Sequence, residues 1–288
     1  MNINTETKLY LLLGNPVSHS LSPALHNAGF QALNLNCLYL ACSVDPLQVG
    51  SALQGIRALS VAGANVTSPF KETVIPLLDS IDDEAAAIRS VNTIINRNGL
   101  LQGYTTDGQG FLKALKQAVP DYDLNQPLLL IGAGGAAGAI ALTMAQEGVP
   151  EIYIANRSLD RAARLKEALC AASKLNKCFA MDLSFKSLQQ ALDRCPLAIY
   201  TLPVDSKEVI AALNDKDDGE FEHKLLFDLR YSPPETTVMS AFRVLGGAAF
   251  NGLGMLFWQA VTAFELFTGK QAPVQDMFEA INQNSKGE

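Results

Sequence analysis

Lys71 ends the segment Gly63-Ala64-Asn65-Val66-Thr67-Ser68-Pro69-Phe70-Lys71. The residues before it, 60–64, are small or apolar and uncharged. That pattern predicts a buried strand over 60–66 that opens into a polar turn. A lysine charge is costly to take out of water unpaired, so a lysine here either caps something or does chemistry. Further on, Ser90-Val91-Asn92-Thr93 precedes the short apolar run Ile94-Ile95, and Gly103-Tyr104-Thr105-Thr106-Asp107-Gly108 precedes a helical pattern over 111–118. Taken singly, Asp107 is a helix N-cap and Lys71 half of a surface ion pair. Taken together with Asn65, Thr67 and Asn92, they offer a proton donor and acceptor beside hydroxyl-binding side chains. Reduction of a polyol carbonyl needs that set.

Two other clusters could hold ligands. Ser20 and Ser22 flank a leucine in Gly14-Asn15-Pro16-Val17-Ser18-His19-Ser20-Leu21-Ser22-Pro23. In an extended turn both hydroxyls face one side, at a helix N-terminus that favours an anion. N-capping by Ser22, with Pro23 at the first helical position, is an equal alternative. His19 and His26 read as structural. The second cluster is Leu128-Leu129-Leu130-Ile131-Gly132-Ala133-Gly134-Gly135-Ala136-Ala137, a strand, glycine turn and helix that fits GxGxxA. Such a turn lets a pyrophosphate approach the backbone and sit on the helix N-terminus. A plain helix-packing turn is the alternative. The next strand, 152–155, ends in Asn156-Arg157-Ser158, with Arg161 beyond. An arginine stands where an NAD site carries an acid for the ribose 2′-hydroxyl. A guanidinium binds a 2′-phosphate bidentately, so NADP is favoured over NAD.

Strands and helices must position these groups. Apolar runs predict strands at 9–13, 37–41 and 60–66, then at 128–131, 152–155, 196–200 and 224–228. Helical patterns fall at 22–33, 46–56, 136–147, 159–172 and 255–267. Strands alternating with helices imply parallel sheets. Two such series, joined over 107–126, imply two α/β domains around a cleft. The expected division is 1–106 with 246–288 for the first domain and 107–245 for the second.

The 288 residues are 48% hydrophobic and 18% charged, the balance of a folded enzyme-sized chain. The net charge of −7 comes without a Lys/Arg block, which argues against nucleic acid or an anionic membrane as partner. No basic leader and no membrane-spanning apolar run stand out. Five scattered cysteines read as reduced cytosolic thiols, and three histidines without ligand spacing make a metal enzyme improbable.

The motifs GNPVSHSLSP, NVTSPFK, VNT, TTDG, GAGGAA, NRS and NGLGMLFWQA occur in the order and spacing of the shikimate dehydrogenase family, which the chain resembles over about residues 8–280. The resemblance implies NADPH-dependent reduction of 3-dehydroshikimate to shikimate, on the route to chorismate and the aromatic amino acids. It implies an N-terminal substrate domain, a Rossmann-like NADP domain, and C-terminal helices that return to the first domain. Carried over by position, Lys71 and Asp107 are the catalytic pair, and Ser20 and Ser22 bind the substrate carboxylate. Thr67, Asn92 and Gln259 hold ring hydroxyls, with Tyr231 nearby. Gly132, Gly134, Gly135 and Ala136 cradle the pyrophosphate, and Asn156, Arg157 and Arg161 take the 2′-phosphate. Gly252 and Met255 lie near the nicotinamide. A cytoplasmic monomer or homodimer is expected. Two departures from the family pattern stand out. Its Asn-Ala-Thr-Pro-x-Gly-Met loop is here Tyr200-Thr201-Leu202-Pro203-Val204-Asp205-Ser206, and Thr105 replaces the usual Asn. Close rivals are an NAD-linked quinate dehydrogenase and a non-catalytic dinucleotide-binding regulator.

Overall fold

A computed structural model describes residues 3–175, 177–217 and 219–284. The chain forms two units, Met1–Gly110 with Phe257–Glu288, and Phe111–Leu256.

In the first unit, β1 (Lys8–Gly14), α1 (Ser22–Ala32), β2 (Cys37–Ser43), α2 (Val49–Ala58) and β3 (Gly63–Val66) alternate as the apolar runs predict. The third strand is shorter than expected, because Ser60 takes a positive φ of 53° and ends the α2 turn before the strand can start. Then follow β4 (Ser80–Ile81), α3 (Asp83–Ile88), β5 (Thr93–Arg97), β6 (Leu100–Tyr104) and the start of α4 (Asp107–Ala118), which passes into the second unit after Gly110. The sheet order is β2-β1-β3-β5-β6-β4. It is mixed, not parallel throughout: β5 runs antiparallel to both β3 and β6. The reversal between β5 and β6 comes from the two-residue turn Asn98-Gly99, with φ of 56° and 88°. Two positive φ values in an Asn-Gly pair make the tight hairpin turn that matches strand twist.

Leu53, Ile56, Phe70, Val74, Val91, Ile94 and Leu101 fill one core of this unit. The two C-terminal helices complete it on another side. Phe264 packs on Phe30 at 5.3 Å and Phe267 on Tyr10 at 4.8 Å between ring centroids. A Cβ at Gly29 would lie 2.7 Å from Phe264, so the glycine sets the close approach of α1 to the terminal helices.

The second unit runs β7 (Leu128–Ile131), α5 (Gly135–Gln146), β8 (Glu151–Ala155), α6 (Leu159–Ala172), β9 (Lys177–Met181), α7 (Phe185–Arg194), β10 (Leu197–Tyr200), α8 (Lys207–Asn214), β11 (Leu225–Asp228), α9 (Thr237–Val244) and β12 (Ala248–Asn251). Helices α10 (Leu253–Thr268) and α11 (Val274–Asn284) close the described chain. The order β12-β11-β10-β7-β8-β9 is wholly parallel. Read from β7 as first strand it is 3-2-1-4-5-6, the doubly wound arrangement whose ligand crevice lies where the order reverses, beyond the carboxyl ends of β7 and β10. Strands β7, β10 and β11 are buried along their whole length, as apolar strands covered by helices on both faces should be.

The first unit ends at Gly110 and resumes at Phe257, and the second holds the residues between. Strand β12 pairs with β11 and so belongs to the second sheet, while Asp107 is hydrogen-bonded within the first unit. Among the described residues, no helix is long and apolar enough to cross a membrane.

Candidate active site

The first unit brings Lys71 and Asp107 together. Lys71 follows the β3 turn, and its carbonyl accepts the N–H of Val91, which ties the segment to the start of the β5 strand region. Asp107 opens α4. Lys71 Nζ donates to Asp107 Oδ2 at 2.5 Å, with the carboxylate 5% and the lysine 17% exposed. Asn92 Nδ2 donates to the other oxygen, Oδ1, at 2.9 Å. Asp107 is thus bracketed from both sides, and the ammonium stays partly open to a ligand.

A buried polar chain stands behind this pair. Asn92 Nδ2 also donates to Thr106 Oγ1 at 2.8 Å, and its Oδ1 accepts from the Thr106 N–H and from Thr93 Oγ1. Asn65 Nδ2 donates to Thr93 Oγ1 at 3.0 Å, and Tyr39 Oη donates to Asn65 Oδ1 at 2.7 Å. The Tyr39 hydroxyl is in turn hydrogen-bonded to Ser22. Burial pushes the Tyr39 phenol well above its ordinary value, although the Ser22 bond works the other way, so it stays a neutral donor. Asn92 commits both amide hydrogens to Thr106 and Asp107, which makes it first a bracket for the carboxylate.

Ser22 is not the N-cap that its place before Pro23 suggests. It is already helical; Leu21 is the capping residue and supplies no side-chain bond. Ser20 Oγ instead accepts the Ser22 N–H at 3.3 Å. Thr67 is half-buried, and a Cβ at Gly14 would collide with its methyl group, so the β1 and β3 turns pack together there. Gln259 lies on α10. A Cβ at Gly110 would come within 2.7 Å of its backbone N, so α10 crosses α4 about one turn from Asp107. His26 is buried without a partner for either ring nitrogen, stacked on Tyr39 at 4.3 Å, and touches no part of the pair.

The second unit carries the glycine turn. Gly132 has a φ of 115°, which an L side chain rarely adopts, and a Cβ there would strike Thr201 Oγ1. Helix α5 begins at Gly135 with Gly134 as N-cap and no capping side chain, which leaves its first N–H groups for a ligand. A Cβ at Gly134 would meet no described atom within 4 Å, so the space before the turn is open. These residues fit a dinucleotide pyrophosphate. At the tip of β8, Asn156 is buried and its Nδ2 donates to the Ser158 carbonyl at 2.8 Å. Arg157 and Arg161 are exposed, and neither forms an ion pair among the described residues. Met255 is buried, and Gly252 packs so tightly on the Leu229 carbonyl that no side chain fits. Burial raises the Tyr231 phenol above its ordinary value. Among the described residues, no group of three or more His, Cys, Asp or Glu side chains could hold a metal ion.

Tyr39, Thr93, Thr106 and Gly110 are absent from the residues singled out by sequence. Tyr39 alternates within a strand like any core aromatic, and only the fold shows its hydroxyl meeting Asn65.

Three family models match the chain in order: the shikimate dehydrogenase substrate binding domain over 12–94, shikimate / quinate 5-dehydrogenase over 114–229, and the shikimate 5′-dehydrogenase C-terminal domain over 252–281. A protein of Methanopyrus kandleri called shikimate dehydrogenase (NADP(+)) is 39% identical over 287 residues, covering 98% of this chain and 97% of its own. A shikimate dehydrogenase solved in complex with NADP+ superposes with a TM-score of 0.84 at 32% identity, over 98% of this chain and 97% of that one. A quinate dehydrogenase from Corynebacterium glutamicum, solved with NAD, gives 0.83 at 25% identity over 96% and 99%.

Proposed function

The chain belongs to the shikimate dehydrogenase family, and we propose on that basis that it is the enzyme catalysing NADPH-dependent, reversible reduction of 3-dehydroshikimate to shikimate. The observation that carries this reading is the Lys71–Asp107 pair, a partly open ammonium held at 2.5 Å by a buried carboxylate. When bound, the reduced nicotinamide supplies the hydride. Lys71 donates a proton to the substrate oxygen as negative charge develops there and, as the neutral amine, takes it back in the reverse direction, while Asp107 orients it. Ser20 and Ser22 take the carboxylate; Thr67, Asn92 and Gln259, with Tyr231, take the ring hydroxyls. Gly132, Gly134, Gly135 and Ala136 would hold the pyrophosphate, Asn156, Arg157 and Arg161 the 2′-phosphate, and Gly252 and Met255 would border the nicotinamide. The five cysteines are free thiols, in keeping with a reducing compartment, and we place the enzyme in the cytoplasm as a monomer or homodimer acting on small molecules.

The likeness to an NAD-bound quinate dehydrogenase favours a second reading, against which stands Arg157 at the β8 tip, where an NAD site carries an acid. Oxidation of shikimate and of quinate, each with NADP+ and NAD+, decides. We expect shikimate with NADP+ to give the highest kcat/KM. An advantage of about tenfold or more for quinate with NAD+ would overturn that choice, being a difference of about 1.4 kcal/mol in transition-state binding. Absence of any turnover would leave a dinucleotide-binding regulator.

A further inference from the structure

The loop 201–206 departs from the family's pattern. Its first residues touch the glycine turn. The N–H and Oγ1 of Thr201 both donate to the Ile131 carbonyl, at 2.8 and 3.0 Å, and Leu202 lies 3.3 Å from the Cβ position of Gly132. The loop is closed from behind by Tyr200, whose ring is fully buried. Its hydroxyl donates to the Val204 carbonyl at 2.7 Å and accepts the Ser206 N–H at 2.8 Å.

The far end of the loop is tied down by Arg230. One Nη meets Asp205 Oδ1 at 2.8 Å. Nε and the other Nη donate to Asp228 at 2.9 and 2.5 Å, and the guanidinium sits 4.9 Å from the Tyr200 ring centroid. Asp228 is fully buried and also accepts from Thr236 Oγ1 at 2.8 Å. The Arg230 carbonyl accepts the Gly252 N–H at 2.9 Å. One residue therefore joins the carboxyl ends of β10, β11 and β12, the edge at which a doubly wound sheet binds its ligand. Burial disfavours the Arg230 charge, but Asp228 and Asp205 outweigh it and hold the group above its ordinary value. Tyr200 and Asp205, which stand where the family has Asn and Gly, are the two groups besides Asp228 that the guanidinium engages.

We propose that Arg230 is a positioning residue for the dinucleotide, holding the 201–206 loop against Gly132 through Asp205 so that the phosphate turn is pre-formed. This rests on the dinucleotide-binding reading of the second unit. Pre-forming a loop raises affinity by removing its ordering cost on binding.

The test uses the full chain with Arg230→Met, Arg230→Lys and Asp205→Asn. NADPH affinity is read by fluorescence titration, steady-state constants by shikimate oxidation, and folding by thermal melting. Asp205→Asn removes a partly exposed ion pair and is expected to weaken NADPH binding by about fivefold. Arg230→Met also strands the buried Asp228 and is expected to weaken binding by about tenfold or more. In both, the KM for NADP+ rises while kcat and the KM for shikimate change little, and Arg230→Lys recovers part of the loss. Unchanged NADPH affinity in folded Asp205→Asn, with only a lower melting temperature, would reduce Arg230 to a structural residue. Asp205→Asn leaves the Arg230–Asp228 pair in place, so it decides the matter even if Arg230→Met does not fold. Wild-type protein that binds NADPH but leaves shikimate untouched would overturn the proposed reaction, and the affinity comparison would still judge Arg230. Wild-type protein that binds no NADPH would overturn both.

Discussion

At the residue scale, the site couples one charge to one buried bracket. Lys71 is held by Asp107, and Asp107 by Asn92, so the ammonium has a fixed direction before any ligand arrives. Lys71→Ala should lower kcat by at least about a hundredfold, the usual worth of a positioned acid, with little change in the KM for shikimate. Steady-state kinetics on the purified variant checks this; near-normal turnover would remove Lys71 from the chemistry. Residue types alone offer Lys71 and Asp107 as a donor and an acceptor beside Asn and Thr side chains; their pairing is what the family resemblance implies. Asn92 as the second holder of Asp107 was not legible in the sequence. That role depends on β5 and β6 lying side by side, which brings residues 92 and 107 within 2.9 Å.

At the element scale, close approach is set by glycines. Gly110 lets α10 cross α4 over Gln259, and any Cβ there would push on backbone. Gly110→Ala should therefore cost about 1–3 kcal/mol of stability through overpacking, and should raise the KM for shikimate by displacing Gln259. Thermal melting and kinetics on the same sample test it; an unchanged KM with unchanged melting would show that α10 yields freely. Helices α5 and α6 and strands β7, β8, β10 and β11 of the second unit were legible from their apolar runs. Strands β4, β5, β6, β9 and β12 and helices α3, α7, α8, α9 and α11 were not expected from the sequence. Strand β9 alternates weakly at a sheet edge, with Phe179 exposed, and β12 is only four residues long. The Asn98-Gly99 hairpin carried a readable turn signal, yet the alternation of strand and helix around it pointed to a parallel sheet instead.

At the scale of the whole molecule, a buried aromatic box in the first unit makes stability depend on pH. His26 is fully buried among Tyr39, Phe30, Phe264 and Phe267, and burial lowers it from 6.5 to about 3. As pH falls below 6.5 the unfolded chain takes up a proton there and the folded chain does not. Folded-state stability then drops by about 1.4 kcal/mol per pH unit until pH nears 3. Between pH 7 and pH 5 the wild type should lose about 2 kcal/mol more than His26→Phe, in which this term is gone. Denaturant unfolding at the two pH values measures the difference, and parallel losses would show that His26 does not titrate as its burial requires. The sequence by itself determined the two α/β series, the glycine turn with its arginine at the next strand tip, and Lys71 and Asp107 as a candidate donor and acceptor. Each rests on local pattern: apolar period, turn chemistry, and charge at the end of a strand or helix. Only the tertiary structure decided what lies behind those groups. The chain from Ser22 through Tyr39 and Asn65 to Thr93 joins residues far apart in sequence, and so does the tie from Arg230 to Asp205 and Tyr200. Side-chain hydrogen bonds act over about 3 Å, and strand order, not sequence spacing, sets which groups come within that reach.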